Sequence, residues 1–90
     1  MANLTFTPNA HGEYVAKYTS EGDAVVQIQL AEQGTVTVQG NLTDMKPSTV
    51  GVFANHYESS LLFGIDLPSG VEVTITSTAK VEKAVMEYVA

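Results

Sequence analysis

The stretch of residues 23–42 reads DAVVQIQLAEQGTVTVQGNL, and its alternation of apolar and polar residues is the most regular in the chain. In its second half Val36 and Val38 share one face, while Thr37 lies on the other. Successive side chains of a β-strand point to opposite faces, so this period of two predicts strands with one apolar and one polar face. We interpret the stretch as a hairpin in an antiparallel sheet, with residues 32–34 joining its two strands.

The remaining apolar residues predict further strands with the same period. Leu4 and Phe6 alternate with polar residues in a segment that we expect to form an edge strand ending at Pro8, because proline lacks the N–H that a central strand donates. The other predicted inward residues are Tyr14, Ala16, Tyr18, Val50, Val52, Ala54, Leu61, Phe63, Ile65, Leu67, Val71, Val73 and Ile75. Residues 41–49 form the longest polar connection, which we expect to carry the chain from one sheet to the other.

The tail, residues 79–90, fits two kinds of secondary structure. Val81, Ala84, Val85 and Tyr88 follow helical spacing, whereas Val81 and Val85 also share one face of a strand. The segment has neither an N-cap box nor a terminal glycine and is rich in valine, which favours a final strand. The chain as a whole then predicts an all-β fold, a two-sheet antiparallel sandwich of Ig-like or jelly-roll type with roughly seven to eight strands.

Length and composition indicate one small domain. The chain has 90 residues, of which 44% are hydrophobic and 16% are charged. We expect a single domain over residues 1–90, because two halves would each be too small to bury a core. Since the core of such a domain is itself small, association with a second copy or a larger surface would add stability.

The charge balance and the absence of cysteine exclude several classes of partner and site. Four basic residues against ten acidic ones give a net charge of −6. Nucleic-acid backbones and anionic membranes attract clusters of basic residues, so we expect neither as a partner. Without cysteine, disulfides and thiolate metal sites are impossible. The N-terminus lacks the basic and apolar regions of a signal peptide, and we expect a complete chain made in the cytoplasm.

Two His-x-Glu pairs are the only candidate metal ligands. His11 with Glu13 and His56 with Glu58 have this spacing, which places both side chains on one face of a strand. A zinc site normally uses three or four protein ligands, so we interpret both pairs as surface residues and expect no metal or other cofactor.

A Ser–His–Asp triad could be drawn from Ser59 or Ser60 with His56 and Asp66. The sequence around these serines lacks the glycine spacing of a nucleophile elbow, and a triad depends on geometry that sequence neighbours do not supply. We therefore interpret these residues as ordinary loop residues and predict that the protein is not an enzyme.

Apolar residues also occur on faces that the period assigns to solvent. Val25, Phe53, Leu62 and Met86 lie opposite the core set of their strands, and exposed together they would form a partner-binding patch. The alternative is that a bulge or another register turns some of them inward. The segment around Leu4 and Phe6 could likewise pair with a neighbouring chain instead of its own sheet.

Several segments together resemble a known family, the small β-sandwich accessory proteins of tailed-bacteriophage virions, which act as capsid decoration, cement or head-fibre proteins. The segments are LTFTPN at 4–9, GEYV at 12–15, SEGD at 20–23, VVQI at 25–28, VEVTI at 71–75 and KAVM at 83–86. The similarity extends loosely over most of the chain and has the texture of Thr/Val strands and glycine turns, which adhesin and Ig-like domains also share.

The resemblance implies a structural virion protein that is made in the host cytoplasm and binds the major capsid protein or another virion protein. It also implies a homo-oligomer, with a trimer favoured, and the family has no catalytic residues to assign. The residues that we expect to contact a partner are Leu4, Phe6, Val25, Phe53, Tyr57, Leu62 and Met86. The alternative function is an adhesion module that binds carbohydrate or protein through its loops, with Tyr57 as an exposed aromatic contact.

Overall fold

A computed structural model describes residues 2–54 and 60–89 of the chain. The described residues form two antiparallel sheets and no helix, which confirms the all-β, two-sheet prediction, although they form nine strands. The strands are β1 (Ala2–Asn3), β2 (Thr7–Pro8), β3 (Tyr14–Thr19), β4 (Ala24–Leu30), β5 (Thr35–Asn41), β6 (Ser48–Ala54), β7 (Ser60–Ile65), β8 (Glu72–Ser77) and β9 (Val81–Tyr88).

The strand order shows how the chain passes between the two layers. Sheet A has the order β1-β9-β4-β7, and sheet B has the order β2-β3-β8-β5-β6. Only β2–β3 and β5–β6 are neighbours both along the described chain and within a sheet. The other successive strands lie in opposite sheets, so most strand pairing is long-range.

The predicted hairpin of residues 23–42 is therefore wrong, although both of its strands exist. β4 pairs with β7 and β9 in sheet A, and β5 pairs with β6 and β8 in sheet B. The two strands face each other across the core with Val26, Ile28, Val36 and Val38 buried between the sheets. Alternation shows which face of each strand is apolar. Two strands need such a face both when they pair within one sheet and when they pack from opposite sheets, so alternation does not distinguish the two arrangements.

The connection of residues 41–49 was also assigned wrongly. β5 and β6 are adjacent in sheet B, so residues 42–47 form a hairpin loop within one sheet. The chain crosses between the sheets at other connections, one of which is residues 31–34 between β4 and β5. Gly22, in the crossing between β3 and β4, has a φ of 130°, a value that glycine adopts without strain.

The tail forms β9, as the valine-rich composition favoured. The N-terminal segment pairs with both sheets: β1 lies on β9 at one edge of sheet A, and β2 lies on β3 at one edge of sheet B. Leu4 and Phe6, between these two short strands, pack against the core. The segment thus lies at sheet edges as expected, but Leu4 and Phe6 lie between two short strands instead of in one, and Pro8 belongs to β2. The missing N–H of Pro8 is tolerated at the edge of the sheet.

Two crossings lie side by side at one end of the sandwich. The N–H of Ala31 donates to the carbonyl oxygen of Lys80 at 2.9 Å, and that of Thr78 donates to the carbonyl oxygen of Thr35 at 3.0 Å. The buried hydroxyl of Ser77 donates to the carbonyl oxygen of Ala79 at 2.7 Å. These bonds fix the connection of residues 78–80 against the connection of residues 31–34.

Candidate interaction surfaces

The two sides of the sandwich differ in how their edges are protected. On one side the edges are β1 and β2, which have only two residues each. On the other side the edges are β6, with seven residues, and β7, with six. The rings of Phe53 in β6 and Phe63 in β7 stack between these edges, with centroids 4.2 Å apart and planes at 12°. No other strand within residues 2–54 and 60–89 covers β6 or β7, and we call this side of the sandwich the open side.

The strands of the open side contain no charged residues. Among the described strands, β3, β8 and β9 contain all the charged residues, which are Lys17, Glu72, Glu82, Lys83 and Glu87. β4, β5, β6 and β7 contain none. Because β4 and β7 adjoin in sheet A and β5 and β6 adjoin in sheet B, we call these four strands the uncharged half of the sandwich. The loops that border them do carry charge, at Asp44, Lys46 and Asp66.

One exposed apolar surface lies on this half, at the hairpin loop and the outer face of sheet B. Leu42 and Met45 belong to the loop, and together with Val50 they line a groove of about 260 Å³. Val52, two residues beyond Val50 on β6, is exposed as well. All four side chains are more than half exposed, with Met45 highest at 66%. We call these four residues the loop patch.

The loop patch was missed because Val50 and Val52 were predicted to point inward. Leu42 and Met45 gave a usable signal, since both are apolar residues inside or beside the longest polar connection of the chain. Single exposed apolar residues are ordinary on a protein surface, but a contiguous group of them marks an interaction site more often.

A second apolar surface lies on the outer face of sheet A. Val25 is 40% exposed and Leu62 is 69% exposed, so the prediction that both point outward is confirmed, and their contact with a partner stays a prediction. They line a shallow depression of about 220 Å³ together with Gln27, Val85 and Glu87. We call Val25, Leu62 and Val85 the outer patch.

Phe53 does not point outward, which corrects its sequence-based assignment. It packs against the core and stacks on Phe63, while Val50 and Val52 occupy the exposed face of β6. Gly51 makes this orientation possible, because a Cβ built there would lie 2.9 Å from the Phe53 ring. Burying the larger aromatic side chain removes more apolar area from water than burying a valine, so β6 turns its Gly51 and Phe53 face inward.

Met86 is also oriented opposite to the prediction. Met86 is only 5% exposed and lies opposite Val26 of the neighbouring strand β4, so its side chain offers no surface to a partner. The sequence contained the reason, because the alternate face of β9 carries Lys83 and Glu87, whose charges favour solvent. Of the other predicted contacts, Leu4 and Phe6 are half-buried against the core, and Tyr57 lies outside the described residues.

Within residues 2–54 and 60–89, no group of three His, Asp or Glu side chains is close enough to hold a metal ion. The side chain of Asn9 organises the first His-x-Glu pair as a turn, because its Oδ1 accepts the N–H groups of His11 at 2.9 Å and of Glu13 at 3.0 Å. The second pair, with His56 and Ser59 of the possible triad, lies outside the described residues. Asp66 is exposed.

Two tyrosines connect the sheets on the side opposite the open edges. Tyr18 of β3 and Tyr88 of β9 meet edge to face, with ring centroids 6.5 Å apart. The Tyr88 hydroxyl donates to the carbonyl oxygen of Thr19 at 3.1 Å, whereas the buried Tyr18 hydroxyl has no hydrogen-bond partner among the described residues. Burial, followed by the nearby Tyr88, raises the pKa of Tyr18 to about 12.

Comparisons with family models, with curated proteins and with solved structures find no match to this chain. None of the described residues forms a helix that is long and apolar enough to cross a membrane.

Proposed function

We propose that this chain is a structural virion protein that decorates or cements a capsid, binds the major coat protein through an apolar surface and thereby stabilises the shell. The proposal places the chain in the virion after its synthesis in the host cytoplasm. The observation that carries it is the loop patch, four exposed apolar side chains in the loop between β5 and β6 and on β6. The choice of the major coat protein as the partner rests on the resemblance of the sequence to virion accessory proteins.

The composition of the uncharged half supports protein as the partner. Burying the exposed apolar side chains of the loop patch gains about 25 cal/mol per Å² removed from water, although Lys46 also lines the groove beside them. The cores of protein–protein interfaces are depleted in charged residues. β5 and β6, which adjoin the loop patch, have this composition over their full length.

The alternative, an adhesion module, has less support from the described residues. That function predicts aromatic side chains exposed at loop tips, where their flat faces could stack on a ligand. Within residues 2–54 and 60–89, every Phe and Tyr is at least partly buried. The remaining aromatic residue, Tyr57, lies outside the described part of the chain.

Co-sedimentation tests the proposal. The purified chain is mixed with shells assembled from the major coat protein of the same genome, and the bound fraction is measured as a function of concentration. We expect saturable binding and a higher melting temperature of the decorated shell. Met45→Lys and Val52→Lys should each weaken binding about tenfold or more, because each removes buried apolar area and introduces a charge.

Thr19→Lys is the matched control, since it adds the same charge at an exposed position on β3, outside the uncharged half. It should bind shells like the original chain. The proposal is wrong if the original chain does not sediment with shells, or if both loop-patch variants bind as tightly as the control.

A further inference from the structure

Strand β7 is a full-length sheet edge that nothing in the described chain covers. It pairs with β4 on one side in an unbroken antiparallel register from Ser60 to Ile65. On its other side, alternate residues direct their N–H and C=O groups away from the sheet. The ligand that satisfies such a row of donors and acceptors is another β-strand.

The other edges have features that discourage strand addition, and β7 has none of them. β1 and β2 are two residues long, and β2 contains Pro8. β6 has a register shift opposite Val38 and Gln39, which leaves Val50 as an extra residue and interrupts the ladder. Short edges, proline, charge and bulges are the usual means by which proteins prevent edge-to-edge pairing. β7 has no proline, no charge and no bulge.

Charge and position favour a second copy of this chain as the added strand. Two copies with a net charge of −6 each repel one another unless the surfaces that meet are uncharged. β7 and its neighbour β4 supply such a surface. Around a twofold axis each residue near the axis meets its own copy, and the central outward residue of β7 is Leu62, the most exposed large apolar side chain among the described residues at 69%.

We propose that β7 pairs in antiparallel orientation with β7 of a second copy about a twofold axis, so that sheet A continues from one molecule into the other. If the axis is perpendicular to the sheet, the outer faces of both copies of sheet A lie on the same side of the joined sheet. Each outward residue of β7 then opposes an outward residue of the second copy. Centring the axis on Leu62 sets its side chain against Leu62 of the second copy. Leu61 then opposes Phe63 of that copy, and Ser60 opposes Gly64.

This pairing places Leu62 against its own copy, while Val25 and Val85 stay on the outer face of sheet A, one and two strands from the new contact. The loop patch belongs to sheet B and its hairpin loop, whereas Leu62 lies on the outer face of sheet A. Because the twofold contact uses the β7 edge of both copies, the association closes as a pair, whereas the family resemblance implies a trimer. The inference goes beyond the proposed function, since it concerns the purified chain without a shell.

Light scattering after size-exclusion chromatography tests the inference. We expect a concentration-dependent rise from the 9.6 kDa of one chain towards twice that mass. Leu62→Lys should raise the dimer dissociation constant about tenfold or more, because it places two like charges at the axis. Thr49→Lys, which adds the same charge at an exposed position on the other open edge, should leave the dissociation constant unchanged. Circular dichroism melts verify that both variants fold.

The inference is overturned if the original chain stays monomeric up to about 1 mM. It is also overturned if Thr49→Lys abolishes the dimer and Leu62→Lys does not, since that result assigns the contact to β6.

Disulfide trapping supplies an independent readout of the register. The chain has no cysteine, so Leu62→Cys and Thr49→Cys each contain a single thiol. Directly opposed residues of antiparallel strands have Cβ atoms about 4.5–5.5 Å apart, close enough for a disulfide after a small shift. Leu62→Cys should cross-link rapidly under mild oxidation, and Thr49→Cys should not. Equal cross-linking of the two variants overturns the proposed register.

Discussion

Replacing Gly34 by alanine tests the crossing between β4 and β5, which distinguishes the observed fold from the hairpin that alternation suggested. In a hairpin turn, residue 34 would face solvent and tolerate a methyl group. In the sandwich, a Cβ at Gly34 would lie 2.7 Å from the Cβ of Ala79 and 3.0 Å from the Oγ1 of Thr78. These neighbours cannot move easily, because Thr35 and Thr78 bond each other and Ser77 holds Ala79.

The expected loss of stability follows from these contacts. Inserting a methyl group into closely packed surroundings costs about 1–3 kcal/mol, and the lower chain entropy of alanine in the unfolded state offsets about 0.4–1 kcal/mol. We therefore expect Gly34→Ala to lower the free energy of unfolding by about 1–2 kcal/mol. For a domain of this size each kcal/mol shifts the melting temperature by roughly 4–8 °C.

Urea and thermal unfolding followed by circular dichroism measure this loss. Gly64→Ala is the matched control, because a Cβ there meets only the carbonyl oxygen of Ala24, at 3.8 Å, and should be tolerated. Adding Ala79→Gly to Gly34→Ala removes the closest contact, so the double variant should be more stable than the sum of the single effects predicts. Gly34→Ala with unchanged or increased stability would refute the packed crossing.

Two further substitutions test the packing of single residues. Phe53→Ala should lower the free energy of unfolding by about 2–4 kcal/mol, because it removes the ring that stacks on Phe63. Val52→Ala on the exposed face should change it by less than about 0.5 kcal/mol. Equal effects of the two substitutions in urea unfolding would contradict the orientation of β6. Tyr18→Phe should keep or raise stability by up to about 1 kcal/mol, because it removes a buried hydroxyl that has no partner among the described residues. The pKa of Tyr18 is raised to about 12, so between pH 10 and 12 the unfolded chain releases a proton that the folded chain keeps. Stability should therefore fall as the pH rises through that window, and less steeply in Tyr18→Phe, which urea unfolding at several pH values measures.

The sequence predicted the strands well because a period of two depends only on local side-chain alternation. The strand-forming segments around Val26, Val36, Phe63 and Ile75 are all present. The sequence did not predict which strands are neighbours in a sheet. β4 and β5 each need an apolar face both when they pair with each other and when they pack against each other from opposite sheets. The contacts that decide between these arrangements, such as Gly34 against Ala79, join residues far apart in the chain.

The candidate surfaces were predicted in part. Val25 and Leu62 are exposed as expected, because polar residues alternate with the buried ones in β4 and β7. The orientation of β6 could not be chosen from valine alternation alone, since Val52 and Phe53 are both apolar and occupy opposite faces. The stack on Phe63, which β7 supplies, determines that orientation.

The difference between the two-residue edge strands β1 and β2 and the longer edge strands β6 and β7 could not be predicted before the strand order was known. Composition alone shows that β4–β7 lack charge, but only the strand order places these four strands side by side. The strand order brings these uncharged strands together on one side of the sandwich, where β6 and β7 are the edges of their sheets.

The central claim is that the chain binds protein through this uncharged half, and the salt dependence of its affinity for coat-protein shells tests that claim most directly. Apolar contacts keep their strength as salt rises, whereas contacts between exposed charges are screened. We expect saturable binding whose dissociation constant changes by less than about threefold between about 50 and 500 mM salt. No binding at any salt concentration, or an affinity that falls steeply across that range, would contradict the claim.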